Sequence, residues 1–175
     1  FLAYGRPVHS LEEVHCSYED ALTLIKRRFF CVQGQHTLGY EELPDVNAVT
    51  QSISQTRLQE FADHLVGYLQ TFNRSNVAKT LFSLEEYLYN VRNDISEVKL
   101  FLTDLYLQVK EKISVLYPNS SIPFSSNTVV INIIESKYSL YEIIQFFSEQ
   151  FEMIMNATGN PSRNNIIDDI LYYIE

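Results

Sequence analysis

The sequence predicts a mostly α-helical bundle of five or six helices with at most one or two short strands. Three observations carry that expectation. Apolar residues recur at three- and four-residue spacing along most of the chain, as they do on helices that bury one stripe. Two capping boxes, Ser10 with Glu13 and Ser139 with Glu142, stand before such stretches. Strand-like runs are scarce, and residues 128–134 form the one β-branched segment of note.

The elements follow in order. Tyr4-Gly5-Arg6-Pro7 leaves a short extended segment through a turn. A first helix starts at Ser10, with Leu11, Val14, Tyr18, Ala21, Leu22, Ile25 and Phe29 expected on its inner face. Residues 33–47, with Gly34, Gly39 and Pro44, predict a loop or short strand. A second helix spans 54–72, its inner face Leu58, Phe61, Leu65, Leu69 and Phe72. Residues 73–76 break it, and Ser75 is the expected cap of the next. A third helix carries Val77, Leu81, Leu84, Leu88 and Val91, then restarts at Asn93-Asp94 or continues. Val98, Leu102, Leu105, Val109, Ile113 and Leu116 prolong the stripe until Pro118 ends it. Residues 128–134 fit a strand or a short helix equally well. From Ser139 a helix carries Ile143, Phe146, Phe147, Ile154 and Met155 to a stop at 158–162. A terminal helix with Ile166, Ile167, Ile170, Leu171 and Ile174 completes the set.

Composition narrows the function classes. A chain of 175 residues with 46% hydrophobic and 20% charged residues can build a core, so wholesale disorder is excluded. The 22 acidic against 13 basic residues give a net charge of −9, which repels phosphate backbones. No apolar run approaches the length of a membrane-spanning helix, and no signal peptide is recognisable. Cys16 and Cys31 do not make a disulfide framework and are expected as free thiols in a reducing cytosol. The opening Phe1-Leu2-Ala3 and the uncapped run to Glu175 suggest an excerpt of a longer chain.

Signatures of chemistry are scarce. Gly34 and Gly39 lack the spacing of a phosphate loop. His9, His15, Cys16, His36 and His64 do not meet zinc-ligand spacing, and neighbours such as His15 and Cys16 are expected to face different ways on a helix. The carboxylate pairs Glu12-Glu13, Glu41-Glu42, Glu85-Glu86 and Asp168-Asp169 predict solvated faces rather than acid–base dyads. Lys26-Arg27-Arg28 falls where cations complement the end of the first helix. Tyr87, Tyr89, Tyr106, Tyr117, Tyr138, Tyr141, Tyr172 and Tyr173 suit core edges and interfaces. The expectation is therefore no catalytic residue, no cofactor-binding residue, no metal site and no enzyme activity.

Two spans resemble a known family. Gly5-Arg6-Pro7-Val8-His9-Ser10-Leu11-Glu12-Glu13, Ser17-Tyr18-Glu19-Asp20-Ala21-Leu22 and Arg28-Phe29-Phe30 are similar to the middle region of AraC-type, YesN-like two-component response regulators. There the helix resembles the tail of a degenerate GGDEF-like domain. Residues 165–175 resemble the helix leading into the AraC-type helix-turn-helix domain. The middle, with Ser139-Leu140-Tyr141-Glu142-Ile143-Ile144, fits in length but carries no motif.

The resemblance implies three parts: 1–47 as the C-terminal piece of a degenerate GGDEF-like α/β unit, 48–160 as a helical connector or sensory domain, and 161–175 as the start of a linker helix. It implies a cytoplasmic regulator with a receiver upstream and DNA-reading units downstream, neither of them in this chain. The chain is then expected to couple the two as a homodimer, to touch DNA only through the absent domain, and to have no membrane contact. A small-molecule-sensing helical domain, with an aromatic pocket between helices, is the alternative.

Overall fold

In a computed structural model that describes residues 1–43, 53–91, 94–118, 122 and 124–158, six α-helices and one two-stranded sheet account for the regular structure. Strand β1 (Leu2–Tyr4) pairs in parallel with β2 (Thr37–Gly39), in the register Leu2 to Thr37, Ala3 to Leu38 and Tyr4 to Gly39. Parallel partners need a crossover between them. Helix α1 (Val14–Lys26) supplies it, entered by a 3-10 turn at Leu11–Glu13 and left by another at Arg27–Phe30.

Two contacts fasten β1 to α1. Gly5 lies so close to the helix that a Cβ would run into the Ser17 carbonyl, so only glycine fits. The Arg6 guanidinium then grips Asp20 through two bonds, Nε to Oδ2 at 2.6 Å and Nη2 to Oδ1 at 2.9 Å. The Arg6 backbone N–H adds a third bond to Oδ2 at 3.2 Å. The capping box expected at Ser10 does not form. Glu13 Oε2 accepts the His9 N–H at 3.2 Å, while the Ser10 hydroxyl makes no capping bond.

The remaining helices are α2 (Gln55–Gln70), α3 (Arg74–Val91), α4 (Ile95–Leu116), α5 (Asn127–Ser136) and α6 (Leu140–Thr158). α2 lies against α3, α4 and α6; α3 packs on α6, and α5 covers α4. Residues 128–134, open between strand and helix on sequence grounds, are helical, and the Ser126 hydroxyl accepts the Val129 N–H to start them. Asp94 caps α4 by accepting the Ser96 N–H at 2.7 Å. At α6 the expected capping box is complete: Ser139 Oγ accepts from Glu142 N, and Glu142 Oε2 accepts from Ser139 N, both at 3.3 Å.

The break between α2 and α3 is tighter than expected. Asn73, not Ser75, caps α3, its Oδ1 accepting the Asn76 N–H at 3.1 Å. α2 ends in a Schellman pair of bonds, Asn73 N to Tyr68 O and Phe72 N to Leu69 O. That geometry places Phe72 at φ 52°, where glycine is the usual residue, and turns its ring out to solvent instead of into the core.

Apolar stripes of α2, α3, α4 and α6 meet in one core. Val77, Leu81, Leu84, Leu88 and Val91 of α3 are all buried as the spacing predicted. At its centre the Tyr106 ring lies 5.4–6.1 Å from the rings of Phe146, Phe147 and Phe151. Tyr106 is thus a core residue and not an edge one; its hydroxyl donates to Gln150 Oε1 at 3.2 Å, and burial pushes its pKa up to about 12. Phe29 and Phe30, from the turn after α1, enter the same core. The expected boundaries after 47 and 160 and the expected terminal helix lie outside the described residues.

Candidate interaction surface

α1 breaks the pattern of the other helices. Its buried line runs through Asp20 and Leu24, with Ser17 and Ala21 half-buried beside it. Most of the apolar residues expected inside point outward: Leu11 is 92% exposed, Val14 49%, Tyr18 64%, Leu22 40% and Ile25 51%. Ala21 is half-buried, and of that set only Phe29, beyond the helix end, is buried. At 100° per residue Val14, Tyr18, Leu22 and Ile25 share about 80° of arc, centred about 140° from the Asp20–Leu24 line. The inward line carries a charged residue because Asp20 serves as the anchor for Arg6. Contiguous exposed apolar rows of this kind mark sites of association.

Charge is graded along the same helix. Glu12 and Glu13 stand at its start, Glu19 near its middle, and Lys26, Arg27 and Arg28 at its end, which complements the helix dipole. The basic cluster has the end-of-helix position expected of it. Arg28 also sits 5.6 Å over the Phe1 ring, a cation–π contact.

His15 and Cys16 do meet, against expectation. The His15 Nδ1 engages the Glu12 carbonyl at 2.7 Å, which swings Nε2 to 3.3 Å from Cys16 Sγ. Cys31 lies at the rim of a cavity of about 200 Å³ with Arg27, Glu41 and Glu42, where burial first and Glu42 second push its thiol upward. Both thiols are free. Among the described residues, no group of three or more His, Cys, Asp or Glu side chains is placed to hold a metal ion. None of their helices is long and apolar enough to cross a membrane.

Of the carboxylate pairs, Glu12, Glu13, Glu41, Glu42 and Glu86 are exposed, and Asp168-Asp169 lies outside the described residues. Glu85 is half-buried, and burial raises its pKa. Glu42 has a structural task that the sequence did not announce: its Oε2 accepts the Gly39 N–H at 2.9 Å.

A groove of about 510 Å³ opens between α2 and α3, with Arg57, Phe61, His64, Tyr68, Lys79 and Tyr87 in its walls. It combines rings with cationic and polar groups, as small-molecule sites do. A second groove, about 670 Å³, runs between α2 and α4 past Val66, Val115 and Leu116. At its rim Lys112 Nζ reaches Asp63 Oδ1 at 2.6 Å, and that bond holds the Asp63 carboxyl below the usual range.

Comparison with known proteins gives no match: no family model, no curated protein and no solved structure aligns with the chain.

Proposed function

We propose that the chain is a regulatory connector without enzymatic activity, belonging to a cytoplasmic AraC-type two-component response regulator. It couples a receiver to a DNA-reading helix-turn-helix domain, and dimerisation is part of that coupling. The observation that supports this reading is the outward apolar face of α1, which falls within the residues that carry the family resemblance. A helix that offers such a face while Phe29 and Phe30 root it in the main core is suited to passing a docking event inward. The −9 charge weighs against DNA contact by this chain and so supports a reading in which another part of the protein touches DNA. The test is the reading frame on either side of the chain. A receiver before it and a helix-turn-helix after it are expected; finding neither removes the assignment.

The α2/α3 groove favours a second reading, a sensor of a small polar metabolite held against Phe61 and Tyr87. Screening sugars and metabolites by thermal shift decides it. A ligand raises the melting temperature by mass action, and a flat screen rejects the sensor.

A further inference from the structure

We infer that the exposed face of α1 is the seam of a two-fold, antiparallel pairing with a second copy of this chain. The inference deepens the connector reading, and rests on it, by naming what covers that face.

The spacing points to a helix as the occupant. Leu11, Tyr18 and Ile25 recur every seven residues, with Val14 and Ala21 between them, which is the repeat of a helix that packs lengthwise on another helix. The stripe is also symmetric about its own middle. Leu11 and Ile25 lie equally far from Tyr18, and so do Val14 and Leu22. Laid antiparallel on a copy of itself, α1 with the 3-10 turn before it brings Leu11 level with Ile25 and Val14 level with Leu22. Tyr18 then meets Tyr18 on the axis, and every large apolar residue of the stripe finds a counterpart. Self-matching of this kind is the requirement of a two-fold interface.

Charge selects the direction. Glu12, Glu19 and Lys26 are also seven residues apart and share one flank of the stripe. A two-fold axis perpendicular to the helices sets each flank against the same flank of the copy. Glu12 then approaches Lys26 of the second copy at both ends of the seam. Glu19 lies near the axis, close to His15 of the second copy. A two-fold axis along the helices would instead set each flank against the opposite one, so Glu12 and Lys26 would have no charged counterpart across the seam. Among the described residues, no ion pair engages Glu12 or Lys26, so both are available at the rim.

Sedimentation of the chain from micromolar to millimolar concentration tests the pairing, with melting of dilute samples as the check on folding. A reversible dimer is expected. Tyr18→Glu should weaken it roughly thirtyfold or more, as loss of a central anchor does. Glu12→Lys or Lys26→Glu alone should weaken it by roughly tenfold at low salt, and the two together should restore it. A strict monomer at millimolar concentration overturns the inference, as does a dimer indifferent to Tyr18→Glu. A double swap that fails to rescue a folded chain rejects the antiparallel direction. A strict monomer also removes dimerisation from the connector reading, while the receiver and helix-turn-helix assignment keeps its own test, the flanking reading frame.

Discussion

α1 and α3 carry equally regular apolar spacing and put it to opposite uses. In α3 the stripe of Val77, Leu81, Leu84, Leu88 and Val91 is the buried face. In α1 the stripe of Val14, Tyr18, Leu22 and Ile25 faces out, and the helix is fastened by a charged residue, Asp20, with Leu24 beside it. The difference teaches that periodicity identifies a face that needs covering but not who covers it. Within the helical body, neighbours in the same chain do so. In the β1–α1–β2 unit, the described residues leave that face uncovered.

The largest effect that could break the comparison lies in the helical body. Phe147→Ala removes a fully buried ring from the Tyr106 cluster and should cost about 3–5 kcal/mol in urea unfolding. An effect below about 1 kcal/mol would mean that this cluster is not the core. Leu24→Ala, on the buried line of α1, should cost about 2–5 kcal/mol, which shows that the inner face of α1 is real despite its polarity. Next, Phe72→Gly should raise stability by up to about 1 kcal/mol, since it relieves a left-handed backbone at a half-exposed side chain.

Acid should act on the β1–α1–β2 unit through Asp20. The hydrogen bond from Arg6 holds this carboxyl below its ordinary value of about 3.9. Its stabilisation is therefore present above that value and lost as pH falls through the folded one. Asp20→Asn should be less stable than the parent at pH 7 in urea titrations, and the gap should narrow below about pH 4. The smallest effect concerns the outward stripe. Leu22→Ser should change the stability of a dilute sample by less than about 0.5 kcal/mol, whereas a polar residue at Leu84 should unfold the chain.

Much of the fold was legible in the sequence. The Ser139–Glu142 box and the α3 stripe depend on local spacing, and both stand where spacing put them. Residues 128–134 stayed open because a short run of Val and Ile fits either period; the Ser126 cap decides for a helix. Helical spacing points Phe72 inward, but it cannot foresee that α2 ends two residues earlier, at Gln70, and closes in a left-handed turn. The stripe of α1 was visible as a stripe, but its direction was not. Direction depends on Asp20 finding Arg6, a partner fourteen residues away and off the helix. The α2/α3 groove had no sequence signal beyond its aromatic residues, because the two walls meet only in the fold.

Amide hydrogen exchange at low and high protein concentration tests the contrast most directly. Protection of the α1 amides at residues 14–26 should rise with concentration, while that of α3 at 74–91 stays constant. Protection of α1 that does not change with concentration would contradict the account.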